Sequence, residues 1–349
     1  MKSKKNLVLL GILVLVIVGS VTVTKLVSKN ETSNTKTPVV DSSSSESSLD
    51  TNQNNNLETT EDDIITVVTS FYPMYIATQN ITKDMDHIKL VNLASNTTGC
   101  LHDYQLTTQD MKTLESADVF VMNGSGMEGY VEEIAKAYPN LTIIDSSEGI
   151  DLLEAIEHHH DEDEEHNEDT DHEEEHDHGA YNSHIWLDPS KYMVQIENIE
   201  RGLENIDATH TSEYAKNAND YIAKVQELED LLSKFVNIQN RQIVIFHEAF
   251  AYLADCLGLE VIHSVALDED TSLSAGEIAD VIEEVKAHDI KALWTEVQYE
   301  DTIATNISKE TDAHVYVLDS LVSGENDVDA YITGMKQNIE VLKQALYDN

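Results

Sequence analysis

Two blocks of short strands alternating with helices, separated by a stretch with no strand in it, set the strongest limit on how this chain can fold. In the first block, Ile64-Ile65-Thr66-Val67-Val68-Thr69 is β-branched and short, as a buried strand is. A helix is expected from Tyr75 to Ile81 and a strand from His87 to Leu93. Gln109 to Glu115 reads as helical, Val119 to Met122 as a strand ending at Asn123-Gly124, Glu128 to Ala137 as a helix and Leu141 to Asp145 as a strand. The second block repeats the style. Gln242 to Phe246 is a strand, His247 to Leu257 a helix stopped by Gly258, and Leu259 to Val265 is extended. Ala275 to His288 and Asp301 to Thr311 are helical, Ala292 to Thr295 and Val315 to Leu318 are strands, and Asp327 to Leu346 is a terminal helix. Such alternation predicts an α/β protein with parallel sheets flanked by helices. Between the blocks, apolar residues recur at Tyr221, Ile222, Val225, Leu228, Leu231 and Leu232, which predicts one long helix from Ser212 to Phe235. The expected architecture is two α/β lobes joined by one long rigid helix. Ligands of open α/β sheets sit at strand carboxyl ends, so two facing lobes make a cleft.

The boundaries follow from composition. Lys2-Ser3-Lys4-Lys5 precedes an apolar run from Leu7 to Val23, the pattern of an export signal or membrane anchor, assigned to 1–27. The run is about as long as a minimal membrane span. Residues 28–62, with Ser42-Ser43-Ser44-Ser45 and the Asn52 to Asn56 stretch, cannot bury enough surface to order themselves and read as a disordered tether. The N-terminal lobe is then 63–188, the helical linker 189–239 and the C-terminal lobe 240–349.

Charge excludes one large class of function. The chain carries 66 Asp and Glu against 21 Lys and Arg, a formal charge of -45, so it lacks the basic clusters that bind nucleic acid. Cys100 and Cys256 are the only cysteines, which excludes a disulfide framework.

Histidine is distributed unevenly. Residues 157–178 hold His158, His159, His160, His166, His172, His176 and His178, and all the rest are Asp or Glu except Asn167 and Thr170. No core can be built from this run, so it is a solvated loop inside the first lobe. Imidazoles and carboxylates are ligands for borderline divalent metals, and weak, multiple sites are expected of a loop that must be ordered on binding. Three further histidines fall at strand-to-helix junctions or nearby loops: His102, His184 and His247. Asp319 directly follows a strand. These are the loop positions where lobed α/β proteins place ligands.

Six motifs occur in order: Thr69-Ser70-Phe71-Tyr72-Pro73, His102-Asp103-Tyr104, Asn123-Gly124, His184-Ile185-Trp186-Leu187-Asp188-Pro189, Phe246-His247-Glu248-Ala249-Phe250 and Trp294-Thr295-Glu296. With the acidic histidine-rich loop just before His184, the stretch from Ile64 to Leu346 resembles the zinc and manganese substrate-binding proteins of bacterial ABC metal importers. The resemblance implies one metal ion held in the interlobe cleft. It also implies an ABC permease and its ATPase as partners, and a place on the extracytoplasmic face of the cell membrane, anchored through the N-terminus or secreted. The chain is expected to act as a monomer. Carried over by position, the ligands are His102, His184, His247 and Asp319, with Glu296 the alternative to Asp319. The family often has Glu-Pro before its first histidine; here Cys100-Leu101 stands there, which removes a nearby carboxylate.

Three imidazoles and one carboxylate favour Zn2+, because zinc accepts four-coordinate N/O sites while Mn2+ prefers more oxygen ligands. A carboxylate in place of His247 would tilt the site toward manganese. Asp103 and Glu248, each next to a ligand histidine, are candidate acceptors for an imidazole N–H. Phe71, Tyr72 and Trp186 are expected to pack in the core rather than line the cleft. Two other functions use the same residues. A zinc hydrolase would take Glu248 or Glu296 as general base, although no His-Glu-x-x-His motif is present. A surface zinc buffer or adhesin would need no permease.

Overall fold

The computed structural model describes residues 64–95, 101, 104–156, 180–265, 273–298 and 302–347. The expectations for 1–27, for 28–62, for the run 157–178, and for Cys100, His102 and Asp103 lie outside these residues. Strands β1 (Ile65–Thr69), β2 (Ile88–Asn92), β3 (Val119–Met122) and β4 (Thr142–Asp145) form one parallel sheet in the order β2-β1-β3-β4. Strands β5 (Gln242–Ile245), β6 (Glu260–Ser264), β7 (Ala292–Glu296) and β8 (His314–Leu318) form a second in the order β6-β5-β7-β8. Both sheets therefore reverse direction of growth at the same place, between their first and third strands. A crevice opens at the carboxyl end of such a reversal, because the crossovers on either side leave in opposite directions.

Periodicity decides what each strand buries. Ile243 and Ile245 of β5 enter the larger core, while Val244 and Phe246 enter a smaller one on the other face of the sheet. Ala292 and Trp294 of β7 take the first face and Leu293 the second. Successive side chains of a strand point to opposite faces, so a continuous apolar run is what a sheet covered on both sides requires.

The linker contains the expected long helix and a second one before it. It holds α4 (Pro189–Ile206) and α5 (Thr211–Leu232), packed on one another. Helix α4 starts where Asp188 Oδ1 accepts from the Ser190 N–H at 2.9 Å, with Pro189 in the first turn. An Asp cap followed by Pro is a start signal, since the proline lacks only an N–H that the first turn leaves unpaired anyway. Its buried apolar residues Tyr192, Ile196, Ile199 and Leu203 follow the same three- and four-residue steps as those of α5. Helix α5 buries Tyr214, Ala218, Tyr221, Val225, Leu228 and Leu232, a stripe at three- and four-residue steps.

The two sheets share one core. It includes Val67 and Phe120 from the first, Ile245 and Trp294 from the second, and Leu342 from the last helix, α9 (Ala330–Tyr347). Helix α1 (Tyr72–Ile81) contacts α4, α5 and α9. Polar ties cross with it: Tyr72 Oη donates to Glu325 O at 2.7 Å and Asn80 Nδ2 to Val328 O at 2.8 Å. Phe71, Tyr72 and Trp186 are all buried in this core, as expected. Cys256 is a free, exposed thiol.

Candidate metal centre

His184 stands at the end of the segment that returns to the first sheet, immediately before a short 3-10 turn, Ile185–Leu187, and is fully buried. Asn182, two residues earlier, fixes it twice. Asn182 Oδ1 accepts from the His184 backbone N–H at 2.9 Å and lies 3.0 Å from His184 Nδ1. A carbonyl oxygen can only accept, so Nδ1 carries the proton and Nε2 the lone pair.

His247 follows β5 in extended conformation, φ −162°, and is 5% exposed. Its Nδ1 lies 2.6 Å from Oε2 of Glu296, the last residue of β7. The approach is off the hydrogen-bond axis, so the two atoms face one another without an aligned bond. Strands β5 and β7 flank the point where the second sheet reverses, which is why a residue after one meets the end of the other. The His184 and His247 rings approach edge to face with centroids 4.9 Å apart. Each presents Nδ1 to an oxygen of the protein, the arrangement that points Nε2 at a cation.

Asp319 is one residue past β8, and its Oδ1 is engaged outside this pair of rings. Its Oδ1 accepts from the Leu321 N–H at 2.9 Å and from Gln298 Nε2 at 3.2 Å. Its backbone is held by Asn338, which accepts from Asp319 N and donates to Asp319 O. Asp319 also lines a cavity of about 290 Å³ with Tyr72, Tyr331 and Gln337. Leu318 is the register partner of Glu296, so Asp319 lies just beyond Glu296 on the neighbouring strand.

The group that orients His184 is an amide that the sequence reading did not single out. Glu248 contributes its backbone carbonyl, which accepts from Asn182 Nδ2 at 2.9 Å. Asn182 thus ties the segment bearing His184 to the one bearing His247. Sequence reasoning missed it because an amide has no ligand chemistry of its own. The only available signal was an acceptor two residues before a motif histidine. Tyr252 adds to the tie, donating to Asn182 O at 2.9 Å.

Beneath His184 the wall is aromatic. Trp186 packs 5.3 Å from His184 and 5.2 Å from Phe71, and its Nε1 donates to Ser320 O at 2.7 Å. A low-dielectric wall strengthens every electrostatic contact inside the site.

The Asn123-Gly124 turn supports the same segment. Asn123 Nδ2 donates to Ser183 O, next to His184, at 2.9 Å. Gly124 has φ +82°, and a Cβ there would meet Asp145 Oδ1 at 2.0 Å, so both backbone conformation and space demand glycine. The buried carboxyl of Glu128 accepts from the Asn123 and Gly124 N–H groups at 2.8 and 3.0 Å. Burial outweighs these bonds and pushes its pKa up to about 7. A carboxyl raised in the native state keeps its proton where the unfolded chain has lost it. Stability from this group therefore falls as pH rises from the ordinary carboxylate range to about 7. The full span is worth up to roughly 3 kcal/mol at about 1.4 kcal/mol per pKa unit. Glu128→Gln should flatten that slope, read as the pH dependence of the urea midpoint relative to the unaltered chain. An unchanged slope would show that Glu128 is ionised throughout.

A family model described as zinc-uptake complex component A, periplasmic, matches residues 67–345. The high-affinity zinc uptake system protein ZnuA of Bacillus subtilis (strain 168) is 34% identical over 292 residues, 81% of this chain and 88% of that one. The zinc-binding protein AdcA of Streptococcus pyogenes serotype M3 is 29% identical over 288 residues, 80% of this chain but only 55% of its own length. Among solved structures, Zn(II)-bound AdcA from Streptococcus pneumoniae superimposes with a TM-score of 0.67 at 26% identity, over 81% of this chain and 58% of that one.

Proposed function

The chain belongs to the zinc-uptake complex component A family, and from that premise we propose that it captures a zinc ion in the cleft between its sheets and hands it to an ABC permease. One observation carries the reading. Two buried imidazoles from facing halves converge, each with its Nδ1 facing a protein oxygen. That set supplies two nitrogen ligands, with His102 the third by position, which suits four-coordinate zinc better than manganese. Glu296 beside His247 is one candidate carboxylate, either orienting the ring or joining the ion, and Asp319 on the neighbouring strand is the other. The relatives named for zinc uptake and zinc binding support the same cargo.

A receptor needs no turnover, and the site is built for holding. A hydrolase would need a general base aimed at an open coordination position, whereas Glu296 is packed against an imidazole. The permease, its ATPase and an N-terminal anchor at the extracytoplasmic face complete the proposed assembly. The acidic histidine loop gathers zinc weakly in this scheme. Deleting 157–178 should remove weak zinc binding and leave one tightly held ion per chain, read by mass spectrometric metal analysis after dialysis against a chelator. Loss of the tight ion with the loop would make the chain a surface buffer.

Uptake tests the delivery step. Radioactive zinc uptake is measured in cells whose only copy of the protein is this chain or its His247→Ala variant, at equal surface amounts. The receptor reading expects uptake to collapse in the variant. Equal uptake would sink it.

A further inference from the structure

A second group of ligand-type side chains lies at the opposite end of the first sheet. His87 immediately precedes β2, so it sits at the amino end of the strands, whereas the cleft lies at their carboxyl ends. Asp207 is the residue that ends α4, and His210 is the residue that begins α5. Folding of the α4–α5 turn onto the edge strand brings the three together. His87 Nε2 is 2.8 Å from Asp207 Oδ2, and His210 Nδ1 is 2.8 Å from the same oxygen and 3.0 Å from Oδ1. The two rings stack with centroids 3.9 Å apart and planes 24° from parallel, so both present nitrogen to one side.

The carboxylate is well enclosed. The Asp207 side chain is 8% exposed and that of His87 13%. Thr209 Oγ1 donates to Asp207 Oδ1 at 2.7 Å and Tyr214 Oη to Oδ2 at 3.2 Å. His210 is the open side of the group at 39% exposed, which leaves an entry path. One ligand atom from each of the three residues falls within 4.8 Å of the others.

We propose that His87, Asp207 and His210 form a second divalent-cation site, distinct from the cleft, that takes a borderline ion such as zinc. Two imidazole nitrogens and a carboxylate oxygen are a common set of three protein ligands for zinc, with water in the fourth position. Zinc–nitrogen bonds of about 2.0–2.1 Å in a tetrahedron place neighbouring ligand atoms about 3.3 Å apart. The nitrogens must therefore withdraw from Asp207 by roughly half an ångström, which rotation of the exposed His210 can supply. On binding, the ring protons move to Nδ1 of His87 and Nε2 of His210, freeing the ligand lone pairs. Acid competes, because an imidazolium has no lone pair to give. A bound ion would pin the turn of the linker helices to the edge of the first sheet. The alternative is a hydrogen-bonded clamp with no ion.

The test uses the full chain carrying His247→Ala, so that it does not depend on the cleft. Zinc bound per chain is measured by equilibrium dialysis, alone and with His210→Ala or His87→Gln added. The loop contributes equally to all three. The expected result is one zinc fewer per chain with either added change, through affinity at least tenfold weaker at that site. Independently of any variant, crystals of the unaltered chain soaked in zinc should show an anomalous peak at the zinc edge among these three side chains. No peak at saturating zinc would overturn the site, as would equal zinc counts in the three proteins.

Discussion

His247→Ala is expected to weaken the tight zinc site by about a hundredfold or more, equivalent to about 2.7 kcal/mol. The imidazole is buried, its Nδ1 lies against Glu296, and its ring meets that of His184. Removing it takes away one nitrogen ligand and leaves the Glu296 carboxylate, 2% exposed, without its imidazole. An uncompensated buried charge is costly, so the metal-free variant should also unfold at lower urea. Two measurements separate these effects. Chelator competition gives the zinc affinity, and urea unfolding in excess chelator gives the stability of the empty protein. Wild-type affinity with only reduced stability would remove His247 from the ligand set. His247→Asp asks a different question: it puts a second carboxylate near Glu296 and supplies oxygen instead of nitrogen. The ratio of zinc to manganese affinity should fall in that variant.

The second large effect belongs to a residue that touches no metal. Asn182→Ala removes the acceptor from His184 Nδ1 and the donor to the Glu248 carbonyl in one step. Orienting partners of ligand histidines are worth about 10- to 100-fold in metal affinity. The Glu248 carbonyl keeps the Ala251 N–H, so losing the Asn182 donor costs roughly another 0.5–1.5 kcal/mol in stability. Asn182→Asp discriminates between the two roles. It keeps an oxygen facing His184 but replaces the donor to Glu248 with a second acceptor. Zinc affinity should then recover most of the loss while stability does not. If both variants bind zinc like the unaltered chain, the Asn182 contact is only scaffolding.

Much of this architecture could be read without coordinates, and for identifiable reasons. Strand β1 lies where the β-branched run 64–69 predicts, and the long helix α5 falls within a few residues of the stripe from Tyr221 to Leu232. Both are local consequences of side-chain period. Helix α4 carries the same signal in Tyr192, Ile196, Ile199 and Leu203, after the Asp188 cap and Pro189.

The site was legible only in part. His184 and His247 were identifiable by residue type, by position at strand ends and by motif. Which carboxylate stands with them was not. Glu296 ends β7 and lies against His247, while Asp319 is one residue past the end of the neighbouring β8 with its Oδ1 on Leu321. Asn182 is an ordinary amide in the sequence and becomes a tie between two ligand segments only when the chain closes. His87, Asp207 and His210 carry ligand chemistry individually, yet 120 residues separate the first two.

The sequence by itself thus determined the elements, the two sheets and the kinds of ligand, since these depend on period, composition and residue chemistry within a short span. Only the tertiary structure decided which oxygens face which imidazoles. That choice is made by distances of an ångström or two between residues far apart in the chain, set by how two sheets with the same strand order pack against a shared core.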